Sequence, residues 1–599
     1  MSKSYEWDLS ELYSGPNDPQ LEADLQQAEA TVDAFTERWK GRTDYLEDAA
    51  ILHEAIKDYE ALMRNVGTGS RVSYFLNLSR VIDQLNTSLK GRETVIGERR
   101  TNLRNKLSFF ELSLGQIEPE IQRRLLASLW LTPYSVWLRR RFAEAAYDLP
   151  VEASNAISLV LPQATDAWDS MVEELLSEQS ARVYTGKKLE KVPFNGLPSL
   201  LNSANLQVVN EVSMAMTRIM RRVSPIAERE INAIVTTKLR LNKHRGYDRP
   251  DARSFQHNDL DAEIADSMLQ AVEDDFGLSH RFYDLKARLM KRPTFSYAQR
   301  ALTYGSLPEG YSFEEACTIL NRVLTKLEPE FANEFDRALR DNHVDAFPRK
   351  GKRGGAACWH NLIEHPTYLL LNYSGQLQDI QTLGHEFGHY LNNLHMQSGG
   401  LCDSLTFGAT TPMAEVASIF FEKYVLDDVL ANADEETRLA IMVSQLEKEM
   451  STIFRQSAAT RFEQQLYAQI DAEGYLSQQQ IGQLFQKHMS AYLGPRVSMK
   501  NGASLWWIYW GHFRAEFYNY GYTFAQLVAK AIQTRVDEDP SYIKEFRRLL
   551  RTGSSRSTRS LLDSMGLSLS DGSLWKTGLA QFASSLDEAE QLAKKLGKI

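Results

Sequence analysis

Residues 383–391, which read LGHEFGHYL, are the most informative stretch of this 599-residue sequence. Around them, residues 379–394 carry apolar side chains at three- and four-residue spacing, and this pattern predicts an amphipathic helix. Residues four apart stand one turn above each other on the same face of a helix. His385 and His389 can therefore present two imidazoles to one metal ion, and zinc suits such ligands.

Glu386 and Gly388 lie between these two histidines. The carboxylate of Glu386 is expected near the same metal, where it can polarise a bound water without being a ligand. Glycine costs about 1 kcal/mol relative to alanine inside a helix. Gly388 therefore predicts that another part of the chain approaches this helix closely. The competing interpretation is a helix surface with two histidines and an incidental glutamate.

A zinc ion held by two histidines needs a third protein ligand and an open position for water. Residues 411–422, TPMAEVASIFFE, open a second predicted helix, with Pro412 in its first turn. Glu415 is the candidate ligand, and the alternative is a solvated first-turn acid favoured by the helix dipole. Glu422 lies two turns further along the same face. It either supports a ligand or is an exposed surface glutamate.

The charge and cysteine content exclude several classes of protein. The chain has 68 Lys and Arg against 78 Asp and Glu, a formal net charge of −10, with the two signs interspersed. Because no basic stripe is visible, neither nucleic acid nor an anionic membrane is an expected partner. The cysteines Cys317, Cys358 and Cys402 form no CxxC pair. They indicate reduced thiols and exclude a cysteine-based zinc site.

The sequence also predicts neither secretion nor a membrane span. Residues 1–10, MSKSYEWDLS, lack the apolar region of a signal peptide. No later run approaches the ~18 apolar residues that a spanning helix needs. We therefore expect a cytoplasmic protein.

Most of the chain predicts helices. Apolar residues recur at helical spacing over residues 21–39, 49–63, 85–112, 118–129, 172–183, 206–237, 260–289, 313–339 and 435–472. The strand-like exceptions are residues 295–307 and, more clearly, 368–373 (YLLLNY). The chain exceeds the ~250–300 residues of a single core, and proline and glycine interrupt the helices at 183–198. We predict an N-terminal helical lobe, residues 1–190, and a larger catalytic domain, residues 191–599.

Taken together, these segments resemble the M3 family of zinc oligopeptidases, which includes thimet oligopeptidase and oligoendopeptidase F. The family pattern is His-Glu-Phe-Gly-His with a later Glu-x-x-Ser on a following helix. The oligoendopeptidase F branch is further indicated by WDL at 7–9, KRGGA at 352–356, YLLLNYSG at 368–375 and HFxxxFYxYxY at 512–522. The likeness is sharpest between residues 351 and 525.

The resemblance implies a zinc metalloendopeptidase that hydrolyses internal bonds of oligopeptides. It assigns one zinc ion per chain to His385, His389 and Glu415, and it makes Glu386 the general base. The fold that it implies is mainly α, with two helical lobes around a deep substrate channel and a small β-sheet near the active site.

Several further residues are assigned by the resemblance alone. His512 and Tyr522 match the family's histidine and final tyrosine, which contact the substrate carbonyl and its oxyanion. Substrate-binding roles are implied for Tyr518, Tyr520, Gly355, Ala356 and Tyr373. The strand at 368–373 is either an edge strand that pairs with an extended peptide or an ordinary buried strand.

Three positions depart from the family pattern. Asn392 stands where the family commonly has histidine, Glu516 where proline often precedes the Phe-Tyr pair, and Ala525 where glycine is frequent. None of them removes a ligand or the base, so we expect activity to survive. Two other functions remain open, a zinc carboxypeptidase with a helical body and an inactive peptide-binding relative.

Overall fold

The computed structural model describes residues 5–599 and is 69% helix and 4% strand. This composition confirms the predicted mainly α-helical class. In the first half of the chain the helices are α1 (Gln20–Trp39), α2 (Ala49–Asn65), α3 (Ser70–Ile82), α4 (Thr87–Gly115), α5 (Pro119–Leu126), α6 (Ser135–Ala145), α7 (Val151–Ala164), α8 (Asp166–Ser177), α9 (Leu206–Arg245), α10 (Ala252–His257), α11 (Ala262–Asp274) and α12 (Phe276–Leu289). In the second half they are α13 (Phe313–Leu327), α14 (Pro329–Arg340), α15 (Leu377–Ser398), α16 (Thr411–Ala431), α17 (Glu435–Met450), α18 (Gln456–Glu473), α19 (Gln478–Leu493), α20 (Tyr520–Glu538), α21 (Ile543–Thr552), α22 (Thr558–Ser564) and α23 (Ser573–Lys595).

The strands are short and form small sheets. They are β1 (Ser180–Tyr184), β2 (Leu189–Pro193), β3 (Phe295–Ser296), β4 (Val344–Asp345), β5 (Ala357–Trp359), β6 (Tyr368–Leu370) and β7 (Val497–Ser498). β1 and β2 form an antiparallel hairpin, and β3 pairs with β7 in parallel. In the third sheet, of order β4-β6-β5, β6 is parallel to β4 and antiparallel to β5.

Two compact units divide the chain. The first unit comprises the described residues of Met1–Asp148 together with Pro308–Val429 and Arg535–Met565. The second unit comprises Leu149–Leu307, Leu430–Thr534 and Gly566–Ile599. The predicted division into residues 1–190 and 191–599 stays a prediction. Within residues 5–599, no helix has the length and apolar character that crossing a bilayer requires.

The predicted helices are largely present, but several of their boundaries differ. The helix predicted over 172–183 ends at Ser177, because Ser180–Tyr184 pairs with β2 instead. Residues 260–289 form two helices, α11 and α12, and residues 313–339 form α13 and α14. Pro329 causes the second of these breaks, since it occupies the first turn of α14 and cannot continue α13.

The β4-β6-β5 sheet anchors the N-terminal segment of the first unit. The indole nitrogen of Trp7 donates to the carbonyl of Leu369 at 2.8 Å. Its ring packs against those of Trp359 and Tyr368, with centroids 5.7 and 5.6 Å away. The tryptophan of the WDL segment thus has a structural role: it ties the start of the chain to the middle and edge strands of the sheet.

Helices α15 and α16 meet at Gly388. A Cβ atom added at Gly388 would lie 2.6 Å from Cα of Ser418 and 2.7 Å from the carbonyl oxygen of Ala417. These are backbone atoms, so no side-chain rotation could relieve the overlap. The close approach predicted from the mid-helix glycine is confirmed, and the partner is the helix that carries Glu415.

We expect Gly388→Ala to destabilise the protein by about 1–3 kcal/mol, because the added methyl forces the two helices apart. Gly97→Ala is the matched control, since Gly97 is exposed in α4 and nothing lies within 4 Å of its added Cβ. Alanine has a higher helix propensity than glycine, so the Gly97→Ala protein should be more stable than the wild type by up to about 1 kcal/mol. Thermal unfolding of both variants checks this, and equal melting temperatures would contradict the contact.

Candidate metal centre

Helix α15 presents three functional side chains above a buried apolar face. Its first turn is capped by Asp379, whose carboxylate accepts from the backbone N–H of Ser374 at 2.8 Å and of Gln376 at 3.0 Å. The apolar stripe packs in the core, as Ile380, Leu383, Phe387 and Leu391 are fully buried. His385 and His389 lie on the opposite side and face Glu415 of α16, and Glu386 directly follows His385.

His385, His389 and Glu415 converge on one point, as the spacing of the sequence motif predicts for the histidines. Nε2 of His385 lies 3.4 Å from Oε2 of Glu415, and Nε2 of His389 lies 3.8 Å from the same oxygen. One ligand atom from each residue lies within 4.8 Å of the others. Two imidazole nitrogens and one carboxylate oxygen at this spacing can hold a divalent cation and leave a position open for water.

Two further side chains orient the candidate ligands. Nδ1 of His385 donates to Oε1 of Glu422 at 2.6 Å, and Glu422 is buried. This bond fixes the ring and leaves Nε2 with its lone pair for a metal. The hydroxyl of Ser418 donates to Oε2 of Glu415 at 3.1 Å. The exposed-surface interpretation of Glu422 is therefore wrong, because the residue is buried and hydrogen-bonded to His385, and its support of a metal ligand stays a prediction.

Burial controls the ionisation of the central groups. Burial lowers the pKa of His389 to about 3, helped by the charges of His385 and His360, so this imidazole is neutral and free to bind a metal. Burial alone would lower the pKa of His385, but the hydrogen bond to Glu422 and the nearby carboxylates raise it instead.

Glu386 is 7% exposed, and burial raises its pKa to about 7, against the opposing charge of His385. The carboxylates of Glu415 and Glu422 raise it further. A carboxyl group with a pKa close to neutrality can both accept and release a proton under physiological conditions.

The small sheet lies beside α15 in the same unit. Asn393 of α15 donates to Sγ of Cys358 in β5 at 3.8 Å. The loop that leads into β5 contains Gly355 and Ala356, and the carbonyl of Gly355 accepts from the amide of Asn372 at 2.6 Å. This placement agrees with the expected β-sheet near the active site, and the substrate-binding roles of Gly355 and Ala356 stay predictions.

The edge-strand interpretation of residues 368–373 is wrong. Tyr368–Leu370 is the middle strand of the sheet and is fully buried, so its backbone groups are already paired on both sides. β5 is an outer strand of that sheet. Tyr373 is also buried, and its hydroxyl donates to the carbonyls of Tyr311 and Ser312 at 3.1 and 3.2 Å. Its proposed substrate contact stays a prediction.

The second unit holds the histidine and tyrosines of residues 512–522. The ring of His512 lies 5.1 Å from that of Tyr518 and is stacked on that of Tyr522 at 5.6 Å. Tyr520 points elsewhere, since it is buried and its hydroxyl donates to the carbonyl of Ser254 at 3.0 Å. The tyrosines fan out because α20 begins at Tyr520. His512, Tyr518 and Tyr522 therefore form one cluster without Tyr520.

The loop that carries this cluster has an unusual backbone. Glu516 and Phe517 have φ values of +54° and +56°, a conformation that non-glycine residues rarely adopt. Phe517 donates its backbone N–H to the buried carboxylate of Glu463 at 2.6 Å. Glu516 accepts from the amide of Asn242 at 2.8 Å. Proline is locked near φ −65°, so the proline of the family pattern could not adopt this backbone, whereas Glu516 does.

The other two departures lie at buried positions. Asn392 is buried and its amide donates to the carbonyl of Leu550 at 2.9 Å, so it joins α15 to α21 and does not belong to the metal group. Ala525 is buried inside α20. Glu463 is a buried acid that no sequence motif indicated, and burial raises its pKa to about 8. The available signal was its position between the buried apolar residues Phe462 and Leu466.

Comparisons with known proteins identify the family of this chain. The family model described as peptidase family M3 matches residues 202–578. Oligoendopeptidase F of Lactococcus lactis subsp. cremoris is 23% identical over 359 residues, which span 59% of this chain and 58% of that protein. Oligopeptidase PepF of Bacillus subtilis (strain 168) is 21% identical over 98% of this chain and 87% of that protein.

A solved structure, described as a peptidase from Chlamydophila abortus, has the same fold. It superimposes with a TM-score of 0.84 at 17% identity and covers 99% of each chain. The resemblance to oligoendopeptidase F inferred from the sequence is confirmed. Because the family model matches more than half of its length, the chain belongs to peptidase family M3.

Proposed function

We propose that this peptidase is a zinc metalloendopeptidase that hydrolyses internal peptide bonds of short oligopeptides. The observation that carries the proposal is the convergence of His385, His389 and Glu415 within 4.8 Å, beside Glu386. Two imidazoles and one carboxylate are a common donor set of catalytic zinc sites, which keep one position open. The pairing of His385 with Glu422 supports the same metal, because metal-bound histidines usually donate their other N–H to an acceptor.

Different residues of the chain have different roles in the proposed hydrolysis. Zinc, when bound, supplies a Lewis acid that makes water nucleophilic at neutral pH. Glu386 accepts the proton of the attacking water and delivers it to the departing amine. We infer from the family pattern that His512 and Tyr522 donate hydrogen bonds to the developing oxyanion. Removing one such donor typically costs about 10²–10³ in rate.

The names of the relatives indicate short peptides as substrates. The proteins from Lactococcus lactis and Bacillus subtilis are called oligoendopeptidase and oligopeptidase. We propose the same substrate class here, with one zinc ion per chain and a cytoplasmic location. Tyr518, which is 41% exposed beside His512, is the tyrosine best placed for a substrate contact.

We expect Glu386→Gln to abolish hydrolysis of a quenched fluorescent peptide while the protein keeps one equivalent of zinc. The amide cannot accept the proton, but no ligand is removed. Glu415→Ala is the contrasting variant, because loss of a ligand should lower the zinc content itself, measured by elemental analysis. Wild-type turnover by Glu386→Gln would refute the role of this residue.

Glu422→Gln should weaken zinc binding about 10- to 100-fold, because an amide holds the His385 ring less firmly than a carboxylate. Competition with a calibrated chelator measures the affinity. Asp427→Asn is the matched control on the exposed side of α16, and it should bind zinc like the wild type. Equal affinities for all three proteins would show that Glu422 does not act on the metal.

Peptides with blocked ends distinguish the endopeptidase from a zinc carboxypeptidase. An endopeptidase should cleave a peptide with an amidated C-terminus as readily as the free acid, since it does not need the terminal carboxylate. Mass spectrometry of the fragments identifies the bond that is cut. Release of single C-terminal residues, restricted to free acids, would support the carboxypeptidase. Stoichiometric zinc without any cleavage would support an inactive peptide-binding relative.

A further inference from the structure

A cavity of about 520 Å³ in the second unit is lined by cationic side chains. Arg218 and Arg221 project from α9, and Lys500 projects from the loop after β7. Neutral polar groups and two aromatic rings complete the wall. Among the described residues that line this cavity there is no aspartate and no glutamate. The site uses none of the residues assigned to peptide hydrolysis.

The three cations have no anionic partner in the described part of the chain, where no carboxylate oxygen lies within 4 Å of any of them. Other basic residues of the same unit do pair with acids. Arg249, for example, pairs with Asp251 at 2.5 Å and with Asp266 at 2.7 Å. Arg218 and Arg221 are three residues apart on one helix, and like charges at this spacing repel. An anion in the cavity would remove this repulsion.

The loop that carries Lys500 is fixed against α9. Asn501 and Gly502 have φ values of +59° and +86°. A Cβ atom at Gly502 would lie 2.3 Å from Cγ2 of Thr217, so only glycine allows the loop this close to the helix. Thr217 directly precedes Arg218. The lysine and the two arginines are thus brought to one cavity by a specific backbone contact.

Neutral donors also line the cavity. The side-chain oxygen of Asn210 accepts from Nε2 of Gln299 at 2.6 Å, which fixes the amide and leaves its NH₂ group available. Ser213 also lines the cavity. At one side stand the rings of Tyr297 and Trp506, with centroids 5.1 Å apart. Cations, amide and hydroxyl donors together match the oxygens of a phosphate group, which guanidinium groups bind with two parallel hydrogen bonds.

We propose that this cavity binds a small molecule through a phosphate or pyrophosphate group, held by Arg218, Arg221 and Lys500. Free phosphate, pyrophosphate and a nucleotide share this chemistry and differ in whether they use the aromatic side of the cavity. The proposal concerns a binding site additional to the peptidase centre, and it stands whether or not the peptidase proposal does.

Calorimetric titration of the full-length protein with sodium pyrophosphate at low ionic strength tests the proposal. We expect saturable binding that weakens as salt is added, because the interaction is between charges. Arg218→Gln combined with Arg221→Gln should lower the affinity about tenfold or more, since two charge-assisted contacts are lost. Arg222→Gln is the matched control, because Arg222 is exposed on the same helix but does not line the cavity.

A second comparison separates this site from the metal centre, since pyrophosphate is also a metal ligand. His389→Ala should bind pyrophosphate with unchanged affinity. Titrations with phosphate and ATP then identify the source of the group: tighter binding of ATP than of pyrophosphate indicates a base on the aromatic side, and equal binding indicates the phosphates alone. No binding of any of the three, equal binding by the double arginine variant, or loss of binding only in His389→Ala would overturn the proposal.

Discussion

The contact between α15 and α16 at Gly388 is the constraint on which the metal centre depends. A hydrogen atom at this position lets the backbone of Ser418 approach, and Glu415 then stands opposite the two imidazoles. Any larger side chain would have to separate the helices by pushing on backbone atoms. Within the first unit, the capping of α15 by Asp379 and its packing on the β4-β6-β5 sheet hold the other side of the same helix.

The centre gathers more negative charge than its own histidines can offset. Glu386, Glu415 and Glu422 all lie close to His385, and their charges act on its pKa. Grouping carboxylates in a largely buried place is costly unless a cation compensates them. The arrangement is therefore easier to explain as a binding site than as a device for stability. The bond from His385 to Glu422 and the one from Ser418 to Glu415 show that even the supporting residues are fixed in place.

Much of this site could be predicted because local spacing sets it. His385 and His389 share a helix face because they are four residues apart. Gly388 indicated a close contact, because glycine is unfavourable inside a helix unless space is limited. Tertiary contacts decided the rest. The role of Glu422 stayed open because α16 is apolar nearly all round, and the position of residues 368–370 in the sheet depended on pairing with β4. The left-handed backbone at Glu516 depends on partners far away in sequence, Asn242 and Glu463, so no local pattern could reveal it.

That backbone has a consequence for transplanting parts between members of the family. A segment spanning His512 to Tyr522, taken from a relative with proline at the position of Glu516, would arrive with an incompatible dihedral angle and without its anchors. Asn242 and Arg253 would then lose the side-chain carboxylate of Glu516, and Glu463 would lose the backbone geometry that presents the N–H of Phe517. Chimeric enzymes built from this protein should therefore exchange the segment and its three anchoring residues as one inherited block.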